Sequence, residues 1–247
     1  MATARPLRAY DGGGLTGVVG LLGLAGAAWA VSVERMSGMD MGPGTDPGRL
    51  GWFVVTWVLM MAAMMLPALV PAARAGGASA AFVSGYLGVW TVAGVGAYAL
   101  VEAVRAGHPG WLAWDSAGRW VAAGAILAAA AYQVTTAKRS CLDRCRTAPQ
   151  PEPKPGATGA LRGGLRHGGA CVGCCAGLMA VLFVLGVMSL TWMVAVTALI
   201  AVERLLPWRT PAVYGVAAAL AVPAVWIAVD PGSLPGLTLP TAPMGGM

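Results

Sequence analysis

The sequence predicts an all-α fold, a polytopic transmembrane helix bundle of about six spans, within a range of five to seven. Hydrophobic residues make up 57% of the 247 residues, and charged residues make up only 11%. Several apolar runs reach the roughly 20 residues that a helix needs to cross a bilayer. Little chain remains for a soluble domain once these runs are removed. We therefore expect an integral membrane protein in contact with the lipid bilayer.

Six apolar runs are interpreted as spans, at residues 14–33, 51–73, 79–101, 117–137, 173–202 and 212–229. The first run follows basic residues, as in a signal peptide, but it is long for one and lacks a cleavage pattern. Pro67 and Pro71 are expected to kink or end the second span. The fifth span is irregular, because 171–206 is long for one helix and short for two. A break at 186–189 is the alternative.

The chain divides into three parts. Residues 1–50 form an N-terminal span and a methionine-rich outer loop, and residues 231–247 form a Gly/Pro/Met tail. Residues 51–230 form the membrane bundle, with a basic, cysteine-containing inner loop at 138–170. The proline-rich stretch 147–164 is expected to be an irregular linker.

Basic residues indicate the orientation. With the N-terminus inside, six spans place ten Lys and Arg residues inside and six outside, the six including Arg204 and Arg209. Seven of the ten fall in one loop: Lys138, Arg139, Arg144, Arg146, Lys154, Arg162 and Arg166. The positive-inside rule places this loop and both termini in the cytoplasm, in a multi-pass protein of the cell (inner) membrane. The net charge of +6 is thus a topology signal, and no nucleic-acid partner is expected.

Four methionines stand within six residues of the second span. Met60 and Met64 share one helical stripe, and Met61 and Met65 share the next. Thioether sulfur is a soft ligand suited to Cu(I). The alternative is that these side chains only fill the core.

A further methionine group lies in the first outer loop. Met36, Met39 and Met41 stand in a polar, Gly-rich segment, where packing in a core does not explain them. We interpret them as a second, outer set of thioethers, with chance as the alternative.

All five cysteines lie between residues 141 and 175. Cys141 and Cys145 have i,i+4 spacing and basic neighbours, which favour the metal-binding thiolate. His167, Cys171 and Cys174 or Cys175 form one stripe if helical, and Met179 continues it. The alternatives are buried thiols without a ligand and a structural zinc site of Cys141, Cys145, His167 and Cys171.

Other chemistry is weakly supported. Glu203 beside Arg204 is interpreted as an interfacial anchor, with ion movement as the alternative. There is no Ser-His-Asp set, P-loop, H-E-x-x-H or paired-carboxylate motif. His108 and His167 fall on opposite predicted sides, which argues against a bis-histidine haem. We do not expect an enzyme.

Three segments resemble a family of predicted metal-binding integral membrane proteins. The first is the W-x-x-M-x-x-A-M-M-x-P helix at 57–67, the second is 132–146, and the third runs from 164 to 207. The family includes a membrane protein associated with a bacterial tyrosinase, thought to act as its copper chaperone. The resemblance covers roughly residues 50–220, and it implies copper handling.

These observations predict a Cu(I)-binding membrane protein that delivers copper to a cuproenzyme or a periplasmic copper carrier, or transports it. The candidate ligands form one set: Cys141, Cys145, His167, Cys171, Cys174, Cys175, Met60, Met61, Met64, Met65 and Met179. Zinc is the alternative metal. The alternative functions are a membrane thiol-disulfide oxidoreductase and an accessory subunit with a structural zinc site.

Overall fold

The computed structural model describes residues 12–37, 47–75, 77–107, 117–147, 156–187 and 189–234. All regular structure in these residues is helical. The helices are α1 (Gly12–Met36), α2 (Leu50–Met65), α3 (Val70–Arg74), α4 (Ala80–Ala106), α5 (Arg119–Gln133), α6 (Thr136–Arg146), α7 (Ala157–Leu185), α8 (Leu190–Leu205) and α9 (Arg209–Val229).

The helices confirm the predicted fold class. Five are long and apolar enough to cross a membrane, or six if the bent pair α5–α6 is counted as one span. The five are Gly14–Met36, Leu50–Arg74, Ala80–Ala106, Ala157–Leu185 and Thr210–Val229. The protein is therefore an all-α bundle compatible with a multi-pass membrane protein.

The second span changes its helix type where the sequence predicts a disturbance. Helix α2 ends at Met65, a 3₁₀ turn covers Leu66–Leu69, and α3 follows with Pro71 in its first turn. Proline lacks the N–H that an α-helix requires at interior positions, so the α-helical ladder cannot run through Pro67. The four methionines thus end α2 directly before this turn.

The prediction of one fifth span at 173–202 was wrong, and the alternative of a break at 186–189 is confirmed. Helix α7 begins at Ala157, so residues 157–164 are helical and not part of an irregular linker; residues 148–155 lie outside the described residues. The helix ends at Leu185, where Gly186 has a φ of 124° that only glycine adopts readily. The separate helix α8 begins at Leu190.

Helix α8 turns back along α7, and this corrects the predicted placement of two segments. Arg204, near the end of α8, reaches the middle of α7 at Cys171. Arg139 of α6 contacts Tyr214 near the start of α9. Arg204 therefore lies at the basic, α6 end of the bundle instead of the opposite one. The start of α1 packs on Arg74 and the start of α9 lies beside α6, so α1 begins and α9 ends at opposite ends of the bundle, whereas six spans predict the same end.

Glycines allow α4 and α7 to pack backbone to backbone in parallel. A Cβ on Gly85 would collide with the carbonyl of Leu161, and one on Gly164 would collide with the carbonyl of Phe82. Small residues permit this close approach between membrane helices. The contact sets the register of the two helices and places Tyr86 of α4 against the cysteines of α7.

Candidate metal centre

Four buried cysteines from two helices form a thiol cluster, which comprises Cys145 of α6 and Cys171, Cys174 and Cys175 of α7. The Sγ atoms of Cys145, Cys171 and Cys174 lie within 4.8 Å of one another. Cys174 Sγ is 3.4 Å from Cys145 Sγ and 3.6 Å from Cys175 Sγ. All five cysteines of the chain are free thiols. A buried group of this kind suits a soft metal ion, because thiolate is a soft ligand.

A sharp bend brings Cys145 into the thiol cluster. Helices α5 and α6 meet at 64°. The Thr135 hydroxyl accepts a hydrogen bond from the Lys138 backbone N–H and so caps α6. Helix α6 then lies against α7 with Cys145 facing Cys174. A single straight fourth span would not provide this contact.

Helix α6 is fixed to the end of α8 by buried charges. Lys138 is fully buried and forms an ion pair with Glu203. The Arg146 guanidinium donates to the carbonyls of Glu203 and Leu206, at the end of α8. These carbonyls lack partners within the helix, so a cationic donor stabilises the terminus. Glu203 is thus a structural anchor, but it is buried and paired with Lys138, whereas the sequence predicted an interfacial anchor beside Arg204.

Two polar side chains approach the sulfur of Cys171. The Tyr86 hydroxyl lies 3.0 Å from Cys171 Sγ. Arg204 Nη2 lies 2.7 Å from Cys171 Sγ, 3.5 Å from Cys174 Sγ and 3.7 Å from Cys175 Sγ. A guanidinium beside thiols favours the anionic sulfur that binds metals.

Two predicted ligands lie next to the group of three sulfurs and not in it. Cys141 is half-buried, and its Sγ is packed against Gly173, where a Cβ would lie 2.8 Å away. His167 is buried between the rings of Phe82 and Tyr86, with each centroid 5.9 Å away. Its Nε2 atom has no hydrogen-bond partner among the described residues.

The cysteine arrangement differs from the predicted zinc set. That set combined Cys141 and His167 with Cys145 and Cys171. In the structure, Cys174 joins Cys145 and Cys171 within 4.8 Å. The spacing alone left Cys174 and Cys175 equal candidates for the stripe, and the position of α6 makes Cys174 the closer partner of Cys145.

The methionine set, which comprises Met60, Met61, Met64, Met65 and Met179, is entirely buried. Contacts of Trp57 give the position of these methionines along the bundle axis. The Trp57 Nε1 donates a hydrogen bond to the Trp90 carbonyl at 2.8 Å, and the Trp57 ring centroid lies 5.2 Å from that of Phe183. Helix α2 runs antiparallel to α4, since Phe53 packs on Tyr98 and Trp57 on Trp90. With a rise of about 1.5 Å per residue, residues 60–65 are level with the part of α7 between Phe183 and Cys175.

The outer methionine group is only partly described. Met36 is buried at the end of α1, so it belongs to the core, against the prediction. Its neighbours Met39 and Met41 lie outside the described residues, as does His108.

Sequence interpretation missed three contributors to the site. Tyr86 carried no signal, because a tyrosine in an apolar span is usually a packing residue. The sequence interpretation placed Arg204 on the outer side, as the partner of Glu203, and treated Lys138 as a basic neighbour of Cys141 and Cys145. A weak signal was present in Lys138, since it follows an apolar run and shares its helix with two cysteines.

Comparison with known proteins gives one family. Residues 54–227 match the family PpoB2, described as a copper chaperone. The matched range includes α4 to α8, with every residue of the thiol cluster, and the whole methionine set. No curated protein and no solved structure matches the chain significantly.

Proposed function

Since the chain belongs to the PpoB2 family of copper chaperones, we propose that it binds Cu(I) at the thiol cluster and passes it on as cargo. The recipient is a copper-requiring protein, or the ion is moved across the membrane. The family match extends over 174 residues, from 54 to 227, so it includes both sets of soft ligands.

One observation carries the proposal. Cys145, Cys171 and Cys174 place three sulfur atoms within 4.8 Å of one another in a buried site shared by two helices. A soft monovalent ion is satisfied by few sulfur ligands. We propose Cys175 as a further ligand from within the cluster. Cys141 and His167 are proposed as outer members that take part in transfer.

The methionine set is proposed as the continuation of the site along the bundle. Thioethers bind Cu(I) without losing a proton, so they can hold the ion where a charged ligand would be costly. All five side chains are buried, and four of them lie on α2, level with the part of α7 between Cys175 and Phe183. Ligand exchange from thiolate to thioether would give the ion a route from one end of the bundle toward its middle.

The basic residues support one orientation of the bundle in the membrane. Lys138, Arg139, Arg144 and Arg146 lie on α6, and Arg162 and Arg166 lie in the first turns of α7. The positive-inside rule places this end at the cytoplasmic face. We propose that copper is received there and delivered to a cuproenzyme or a periplasmic carrier on the other side.

The test is the metal content of anaerobically purified protein. Wild type is compared with a variant in which all five cysteines are serine, after exposure to Cu(I) or Zn(II). We expect tight Cu(I) binding by the wild type and its loss in the variant, with both proteins folded. Helical content by circular dichroism provides the control for folding.

Other outcomes would support other functions. One zinc ion per chain, with no Cu(I), would indicate a structural site and an accessory subunit. Reversible thiol oxidation without bound metal would indicate a thiol-disulfide oxidoreductase. Equal Cu(I) binding by wild type and the serine variant would reject the thiol cluster as the site.

A further inference from the structure

Cys145 is the one member of the thiol cluster that does not belong to α7. It is the penultimate residue of α6, a helix of 11 residues. The ends of helices fray, and a helix this short is marginal by itself in water. The position of the Cys145 sulfur, 3.4 Å from Cys174 Sγ, therefore depends on contacts that hold the end of α6 in place.

Arg146, the next residue, provides such a contact. Its Nη2 atom donates to the Leu206 carbonyl at 2.7 Å and to the Glu203 carbonyl, both at the end of α8. Carbonyl groups at the end of a helix lack partners within it and form its negative end, so a guanidinium is a suitable donor. Hydrogen bonds from a charged donor are about twice as strong as those between neutral groups. The end of α6 is thereby attached to the end of α8.

The end of α8 is also attached to α7. Arg204 Nη2 lies 2.7 Å from Cys171 Sγ, and the neighbouring Glu203 pairs with Lys138 near the start of α6. Two adjacent residues of α8 thus contact the two helices that carry the thiol cluster. Arg146 adds a contact from the other end of α6 to the same segment, so α8 holds α6 and α7 together at the thiol cluster.

A second arginine in α6 has the same charge without this contact to α8. Arg144 stands on the other side of Cys145 in the sequence, and its side chain is exposed. Both arginines agree equally well with the positive-inside rule. The charge alone therefore does not explain the half-buried position of Arg146 at the end of α8.

We propose that Arg146 is a positioning residue of the metal site, which holds the Cys145 sulfur against the sulfurs of α7 so that α6 supplies a ligand. This inference rests on the proposed function, because it assumes that the thiol cluster binds Cu(I). Arg146 makes no bond to the ion itself. It determines whether a sulfur from a second helix reaches an ion bound on α7.

The first test needs no metal. A variant that keeps only Cys145 and Cys174 as thiols is equilibrated with a buffer of reduced and oxidised glutathione. Formation of the protein disulfide consumes one glutathione disulfide and releases two glutathione thiols, so its equilibrium constant reports how closely the two sulfurs are held. We expect Arg146→Gln to lower this constant about 10-fold, because a disulfide tolerates only a narrow range of Cα and Cβ separations. Arg144→Gln should leave it unchanged.

The second test measures the Cu(I) affinity of detergent-purified protein that retains all five cysteines, by competition with a chromophoric chelator under anaerobic conditions. Arg146→Gln should weaken Cu(I) binding about 10- to 100-fold, the range for groups that support metal ligands. Arg144→Gln should leave the affinity unchanged. Arg146→Lys keeps a cationic donor at this position and should restore part of the affinity.

A double variant separates positioning from a general structural effect. In a Cys145→Ser background, Arg146→Gln should have little further effect on Cu(I) affinity, because the sulfur that it positions is absent. A general loss of structure would instead weaken Cu(I) binding by the same factor with and without Cys145.

The outcomes distinguish this inference from the proposed function. Absence of Cu(I) binding by the wild type would reject the proposed function, while the disulfide equilibrium would still report whether Arg146 holds Cys145. Tight Cu(I) binding by the wild type, with an unchanged affinity in Arg146→Gln, would overturn only the role of Arg146, as would an equal loss with and without Cys145. If neither Arg146 variant folds while Arg144→Gln does, Arg146 serves the whole fold and the positioning role is rejected.

Discussion

Cys145 and Cys174 bring their Sγ atoms to 3.4 Å although they belong to different helices and stand 29 residues apart. The contact joins α6, a short polar helix, to the middle of the apolar helix α7. A metal ion bound between them would crosslink the two helices.

The cysteines of the group of three should contribute more to Cu(I) affinity than Cys141. We expect Cys145→Ser and Cys174→Ser each to weaken Cu(I) binding by more than about 100-fold, beyond the usual effect of groups that only support ligands. Cys141→Ser should have a smaller effect, because Cys141 is packed against Gly173 outside the group. Chelator competition measures all three.

Ser140→Ala provides a control on the exposed side of α6, where no change is expected. Equal losses for Cys141→Ser and Cys145→Ser would show that the ligand set in solution differs from the group in the structure.

The fold was largely predictable, because the length of an apolar run and the position of a proline act locally. The end of α2 before Pro67 and the break at Gly186 follow from backbone chemistry alone. The start of α7 was not predictable, since its first turns are rich in glycine and arginine. Packing of Gly164 against α4 stabilises these turns as a helix although their helix propensity is low.

The cysteines of the site were predictable, but their surroundings were not. Clustering in sequence and the helical period identify Cys171, Cys174 and Cys175 as one group. The contact between Arg204 and Cys171 depends on the return of α8 along α7. The burial of Lys138 depends on the bend before α6. Neither contact corresponds to a periodic pattern or a motif in the sequence.

The buried methionines should matter for copper movement more than for stability. Replacing Met61 and Met65 together with leucine conserves volume, so each change should cost less than about 1.5 kcal/mol of stability. Transfer of Cu(I) out of the thiol cluster should slow, because leucine offers no thioether. The measurement is the rate of Cu(I) loss to an external chelator from protein in proteoliposomes.

Met193→Leu is the matched control, because Met193 is equally buried but lies on α8. An unchanged transfer rate in the double variant would show that the methionines only fill the core.

Close packing of α4 on α7 should be intolerant of a single methyl group. A Cβ on Gly164 would collide with the Phe82 carbonyl, so Gly164→Ala should destabilise the protein by about 1–3 kcal/mol, the usual cost of overpacking. It should also weaken Cu(I) binding, because the same contact positions Tyr86 beside Cys171. Thermal unfolding in detergent and chelator competition measure the two effects.

Gly169→Ala tests the same change on the same helix at a site with open space. Here the stability should rise by about 0.5–1 kcal/mol, since alanine favours the helix over glycine. Similar effects at both positions would contradict the close approach of the two backbones.

The stability of the protein should depend more on the buried pair Lys138–Glu203 than on the exposed pair Glu102–Arg105. Glu203→Gln leaves the fully buried Lys138 ammonium without its counter-charge, which typically costs about 3–5 kcal/mol. The double variant Lys138→Met with Glu203→Leu removes both charges and should recover most of the lost stability. Glu102→Gln breaks the exposed pair with Arg105 and should cost less than about 1 kcal/mol.

Unfolding in detergent ranks the three variants. Recovery of stability without recovery of Cu(I) affinity in the double variant would show that the pair also holds Cys145 in place. A Glu203→Gln variant as stable as Glu102→Gln would mean that Lys138 reaches water instead.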